Sequence, residues 1–253
     1  MYTYRWYSAI TVGAVLLLWW LVATLEVVPE LFVPHPTSVW RAFHLAQSTG
    51  YRGSTLLQHL GASMARLGAG YLLAVITAVP LGLMMGMFRR VRALVSPLLE
   101  FYRPLPPLAY YTLLIVWLGI GDESKIALLF LAAFPPLAIN AIAAVESLAP
   151  QRVETALSLG ARRRDVILRV MLPSCLPQIL TGMRIGIGFT YTTLVSSEIV
   201  AAANGIGWMV LDASRFLRTD MIFVAIIVMG VTGLALDGLI RLLEFHFVPW
   251  KGK

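Results

Sequence analysis

Charge is scarce in this chain: Asp, Glu, Lys and Arg make up 13% of 253 residues, where about a quarter is usual for a soluble globular protein. With 58% of the residues hydrophobic, one soluble core cannot hide so much apolar surface, which identifies an integral membrane protein. A single cysteine, Cys175, excludes an internal disulfide and a thiolate cluster for a metal, leaving a small packing residue. No Gly-x-x-x-x-Gly-Lys-Ser/Thr phosphate cradle is present, and the isolated Gly186-x-Gly188 lies in an apolar run with no strand before it. The chain is therefore not expected to hydrolyse ATP. His-Glu-x-x-His and Gly-x-Ser-x-Gly are also missing, which argues against an intramembrane enzyme, and no catalytic or metal site is expected. Strand alternation, low-complexity linkers and internal repeats are lacking too. Their absence disfavours a β-barrel and a stand-alone secondary transporter built from inverted repeats.

What is present is a series of long apolar runs, such as Leu67 to Phe88 and Ile126 to Val145, each near the roughly 20 residues that span a bilayer. The pattern predicts an all-α polytopic bundle of about six membrane helices: Ser8–Val27, Leu67–Phe88, Leu105–Gly121, Ile126–Val145, Ile179–Ala202 and Met221–Phe245. The first has only Arg5 before it and no small-x-small cleavage pattern after it, as expected of a retained helix. Six crossings put both termini on one side. Taking that side as the cytoplasm leaves fourteen Lys/Arg inside, namely Arg5, Arg89, Arg90, Arg92, Arg103, those from Arg152 to Arg184, Arg241, Lys251 and Lys253, and six outside. This positive-inside bias accounts for the net charge of +7 without nucleic acid, and it places residues 150–173 in the cytoplasm. The organisation expected is residues 1–63 as first helix and extracytoplasmic interfacial segment, 64–247 as core bundle, and 248–253 as cytoplasmic tail. Within the first part, His35-Pro36-Thr37-Ser38 reads as a helix start, followed by an interfacial helix carrying Val39, Trp40 and Phe43.

The segment from Glu154 to Pro173 is polar and arginine-rich between apolar spans. Arg152 to Leu159 favours a helix, and Gly160 supplies the left-handed conformation that closes one. A second helix is expected from Ala161 to Leu172, with Val166, Ile167, Val170 and Met171 as an apolar stripe ringed by Arg162, Arg163, Arg164 and Arg169, until Pro173 stops it. Such a unit suits a helix-in-groove contact with a soluble partner.

Polar groups inside apolar spans are costly and are candidates for a transport path. Thr190, Tyr191, Thr192, Thr193, Ser196, Ser197 and Glu198 form such a stretch; Glu198 can alternatively pair with an arginine or hold a bend. Asp237 and Arg241, four apart, read as a lock. Pro80, Pro135 and Pro136 favour kinks, and Gly82-x-x-x-Gly86 and Gly182-x-x-x-Gly186 permit close helix contact. Pro104, Pro106 and Pro107 break the chain before the third span, leaving Arg103 near the membrane surface beside Tyr102 and Tyr110.

The spacing Glu154-Thr155-Ala156, Gly160, Val170, Leu172-Pro173 resembles the cytoplasmic coupling loop of ABC importer permeases: Glu-Ala-Ala, three residues, Gly, nine residues, Ile, one residue, Leu-Pro. Thr155 and Val170 depart from it, where that pattern has an Ala and the Ile. Further runs resemble taurine and aliphatic-sulfonate permeases: Glu100 to Tyr110, Trp117 to Gly121 with Ser124-Lys125, Leu172 to Pro177, Asn204 to Trp208, and Pro249-Trp250. The chain thus resembles the nitrate/sulfonate/taurine/bicarbonate branch and, within it, taurine permeases.

The resemblance implies a type I ABC importer (MetI-like) permease fold in the inner membrane. Two copies would work with two cytoplasmic ATPases that hold ATP and magnesium, and with an extracytoplasmic binding protein, moving taurine or a related sulfonate by alternating access. No cofactor falls to this chain, and its other partner is membrane lipid. Coupling to the ATPase falls on Glu154, Thr155, Ala156, Gly160, Ala161, Arg162, Arg163, Leu172 and Pro173. The path is expected at Tyr102, Arg103, Tyr110, Thr192, Thr193, Ser196, Ser197 and Glu198. A permease of the same branch for nitrate, bicarbonate or a thiamine precursor shares all of these motifs except the leaning of the Tyr102 to Tyr110 run.

Overall fold

A computed structural model describes residues 3–249. Trp250, Lys251 and Lys253 of the expected tail, and the Arg5 side chain, lie outside what is described. Every element among the described residues is helical; an isolated antiparallel bridge between Tyr51 and Ser54 is the only strand-like pairing. The helices are α1 (Thr3–Thr24), α2 (Pro36–Ser48), α3 (Leu56–Met87), α4 (Arg89–Tyr102), α5 (Pro107–Leu118), α6 (Asp122–Glu146), α7 (Pro150–Ser158), α8 (Arg163–Asp165), α9 (Leu172–Ala201), α10 (Ile206–Arg215) and α11 (Thr219–Phe247), with a π-helical turn at Val166–Met171.

Among the described residues, five helical runs are long and apolar enough to cross a membrane: Trp6–Thr24, Leu56–Met87, Asp122–Glu146, Arg163–Ala201 and Thr219–Phe247. The third expected span is different. Its apolar helix, α5, has 12 residues, about 18 Å at 1.5 Å per residue, against a hydrocarbon core of about 30 Å. The prolines from Pro104 to Pro107 interrupt the chain here: α4 ends at Tyr102 and α5 begins at Pro107.

The chain clusters into two units, residues 1–62 with 198–230 and residues 63–197 with 231–253. In the first, Val39, Ala42 and Ala46 of α2 pack on Ile206, Met209 and Ala213 of α10 and on Met221, Val224 and Ala225 of α11. The α2 start is as expected: Pro36 opens the helix, and the His35 ring accepts from the Thr37 N–H at 3.2 Å. The interfacial reading of α2 is modified, because its Val39 side is core and only residues such as Trp40, 62% accessible, remain outside.

In the second unit, Tyr71, Ala74, Ala78 and Met85 of α3 pack on Ala133, Leu137, Ala138 and Ile142 of α6, with Ile187 of α9 and Ile240 of α11. The glycine pairs permit this closeness. A Cβ on Gly82 would lie 2.5 Å from the Ala138 carbonyl oxygen, and one on Gly182 would lie 2.4 Å from the Asn140 Cβ. Asp237 is the expected lock: it pairs with Arg241 at 2.9 Å and also with Arg184. Cys175 is a buried packing residue.

Candidate coupling segment and membrane path

α7 begins with Pro150 at its first position, where a missing N–H costs nothing. It ends in a Schellman turn: Gly160 takes φ +85°, its N–H donates to Leu157 at 2.9 Å, and the Ala161 N–H donates to Ala156 at 3.1 Å. The last carbonyls of α7 are thereby satisfied without a tertiary partner. Glu154, Thr155, Leu157 and Leu159 face outward, Leu159 at 83% accessibility, and so do Arg162, Arg163 and Arg164. Val166 is buried, Ile167, Val170 and Met171 are half-buried, and α7 packs on the Val166–Met171 turn. A cavity of about 360 Å³ beside it is lined by Arg152, Arg169, Val170, Pro173, Ser174 and Pro177.

Pro173 does not stop the second helix, as its ring chemistry alone suggests. The run from Arg163 to Ala201 is continuous because the turn before Pro173 is π-helical. The Leu172 N–H reaches back five residues to Ile167, and this widened turn accommodates a proline that cannot donate to Arg169. The two-helix reading of the segment holds for its first half, whereas the second half is the start of a membrane helix.

The expected path residues separate into three groups. Thr192, Thr193, Ser196 and Ser197 donate to carbonyls of their own helix at 2.7–3.0 Å. Thr193 and Ser197 are buried, while Thr192 is exposed and Ser196 half-exposed. Glu198 is fully buried and accepts from the Gly207 N–H at 2.9 Å. It holds the first turn of α10, where backbone N–H groups and the helix dipole favour a carboxylate. The Asn204-Gly-Ile-Gly-Trp208 run fits around it: Gly205 has φ +118°, and a Cβ there would meet the Glu198 carboxylate at 2.4 Å. His59, also buried, accepts from the Gly205 N–H at 3.1 Å through Nδ1 and donates to the Tyr51 carbonyl through Nε2. Sequence reasoning missed His59, whose only trace is a polar residue inside an apolar run.

Tyr102, Arg103 and Tyr110 form the third group, at the break between α4 and α5. The tyrosine rings meet edge-on, with centroids 6.2 Å apart. The Tyr102 hydroxyl donates to the Leu131 carbonyl, the very group that Pro135 leaves without its helix donor four residues on. Arg103 caps the C-terminal end of α4. It lines a cavity of about 300 Å³ with Ala132, Pro135, Pro136, Ile139 and Asn140 of α6 and Ile185 and Phe189 of α9, residues in or near the middle of those helices.

A family model described as "binding-protein-dependent transport system inner membrane component" matches residues 78–248, more than half of the chain and including both regions above. The chain belongs to that family. It is thus a non-catalytic permease subunit of an ABC importer, in the branch that includes taurine, sulfonate and nitrate permeases.

The permease is 42% identical over 244 residues to the taurine transport system permease protein TauC of Escherichia coli (strain K12), covering 96% of this chain and 89% of that protein. It is 31% identical to the putative aliphatic sulfonates transport permease protein SsuC of Bacillus subtilis (strain 168), over 98% and 89% of the two chains. Among solved structures, an inward-facing MetNI methionine ABC transporter superposes with a TM-score of 0.62 at 16% identity, over 74% of this permease and 95% of that chain. That likeness concerns the fold.

Proposed function

We propose that this permease moves taurine or a related small sulfonate into the cytoplasm. It would do so as a homodimer driven by two cytoplasmic ATPases that bind ATP and magnesium and fed by an extracytoplasmic binding protein. The observation that carries the coupling role is the exposed, self-capped α7 turn from Glu154 to Gly160 with its basic flank Arg162 and Arg163. A short helix whose C-terminal end is closed by its own backbone, tied through Leu172-Pro173 to a 30-residue membrane helix, is suited to lie in a groove of an ATPase and carry its motion inward. Both termini then lie in the cytoplasm, consistent with the distribution of Lys and Arg. The identity to a taurine permease over nearly the whole chain supports the substrate, as does the run from Tyr102 to Tyr110.

In the mechanism, ATP-driven closure of the ATPases draws the two α7 elements together. The paired permeases rock from inward to outward opening, and the binding protein delivers its solute to the open side. Thr192 and Ser196, on the exposed side of α9, and Arg103 face the path. Taurine-stimulated ATP hydrolysis by the reconstituted complex with its binding protein tests the substrate. Stimulation by nitrate, bicarbonate or a thiamine precursor in place of taurine would move the protein to the second reading within the same branch.

A further inference from the structure

We infer that Arg103 and Asn140 form a binding site, midway across the membrane, for the oxyanion of a small organic acid; this deepens the import reading above by placing a resting point inside the permease. The depth comes from the helices that build the cavity. Pro135 is 13 residues from Asp122 and 11 from Glu146 along α6, and Ile185 and Phe189 fall midway along α9. At 1.5 Å per residue, Pro135 is about 17–20 Å from either end of α6. A guanidinium at that depth is costly against lipid and belongs beside water or protein.

Arg103 is exposed, and among the described residues no carboxylate comes within ion-pairing distance of it. Its charge is therefore available. Arg92 and Asp237, by contrast, are held in pairs, Arg92 with Glu146 and Asp237 with Arg184 and Arg241. The backbone that carries Arg103 is anchored beside α6: the Tyr102 hydroxyl, one residue before it, donates to the Leu131 carbonyl. A planar guanidinium offers paired N–H groups to two oxygens of a sulfonate or carboxylate. Asn140 contributes a side-chain amide whose Nδ2 donates to the Pro136 carbonyl at 2.8 Å, which leaves its second N–H for the ligand.

A second cavity of about 220 Å³, lined by Arg92, Glu100, Arg103, Ile139 and Glu146 among others, adjoins Arg103 towards the Glu146 end of α6. Its two carboxylates make it a poorer rest for an anion. An anion released from Arg103 in that direction meets no second trap, which suits passage over storage.

The test places a thiol in the cavity. The full chain carrying Phe189→Cys is reconstituted in phosphatidylcholine nanodiscs, with buried Cys175 as the unreactive background. Its modification is timed with sulfonatoethyl methanethiosulfonate, an anion, and with the trimethylammonium-ethyl reagent, a cation. With Arg103 in place the anion reacts preferentially, and methanesulfonate slows it. Arg103→Gln lowers the anion-to-cation ratio roughly tenfold, the scale of a lost charge-assisted hydrogen bond, while Arg103→Lys retains most of it.

An unchanged ratio in Arg103→Gln overturns the site, and so does a failure of methanesulfonate to protect the unaltered Arg103 chain. If discs of phosphatidylglycerol protect as well as methanesulfonate and the two do not compete in any other way, the ligand is a lipid phosphate and the transport site is refuted. The assay needs neither ATPase nor binding protein. Failure of taurine-stimulated hydrolysis with an intact charge ratio therefore removes the substrate reading alone, and the converse result removes only the site.

Discussion

Gly160 and Gly205 each close a turn between two helices, and both need a left-handed backbone, with φ of +85° and +118°. Around Gly160 a Cβ would meet nothing within 4 Å, whereas at Gly205 it would strike the carboxylate of Glu198. The first glycine is required for conformation alone, and the second for conformation and space. The backbone at Gly160 is satisfied by α7's own carbonyls, so the surface around it stays open to a partner. At Gly205 it is satisfied by His59 and the neighbouring N–H by Glu198, side chains from two other helices, so the surroundings are closed.

The largest expected effect separates function from stability. Gly160→Pro fixes φ near −65° and deletes the bond to Leu157, and ATP-driven uptake in proteoliposomes is expected to fall to background while the purified permease stays folded. Intact uptake in that variant would contradict the docking role of the turn. Next comes Gly205→Ala, where strain at positive φ and overlap with Glu198 together cost about 3 kcal/mol, measured as a lowered unfolding midpoint in detergent. Gly160→Ala, with strain alone, costs about 1 kcal/mol, and equal losses at the two sites would erase the contrast.

Glu198→Gln keeps an acceptor for the Gly207 N–H and loses the charge at the start of α10; about 1 kcal/mol of stability goes with it, with uptake retained. If uptake fails while the midpoint holds, Glu198 belongs to the path after all.

The smallest effect depends on pH and touches only the closed turn. Tyr51, whose carbonyl receives His59, is buried and donates its hydroxyl to Asp212 at 2.7 Å; burial first, then that bond, push its phenol up to about 12. A raised folded value means that the contribution is whole below the unfolded value of about 10 and is lost as the pH climbs towards 12. Thermal midpoints recorded from pH 8 upward should decline in that interval for the native chain and less so for Tyr51→Phe. On the acid side, burial opposes ionisation of Asp212, but the bonds from Tyr51 and Arg52 outweigh it and hold the carboxyl below its usual range.

Much of this could be read from local chemistry. Gly160 ends α7, His35-Pro36 starts α2, Asp237 pairs with Arg241, and the prolines after Arg103 break the chain, because each depends on residues within a few positions. What escaped depends on distant partners. The short length of α5 and the place of Arg103 against the middle of α6 and α9 depend on how these helices pack, and no periodicity reports that. Glu198 was legible as a costly buried charge, but its alternatives stayed open until Gly207 was found beside it. Pro173 misled because the rule for proline assumes α geometry, and the π turn from Val166 to Met171 is the exception that accommodates it.

That turn has a mechanical side. A π turn contains one residue more than the α turn it replaces, so the Val166–Met171 stretch is a spare tooth between α7 and the membrane helix. Taking it up advances the register by one residue, about 100° of rotation and 1.5 Å of travel. If an ATPase docks at Glu154 as proposed, its push would act on a thread with a known pitch, in which a short stroke at one end would reappear as a twist of the helix that carries Phe189 and Thr192.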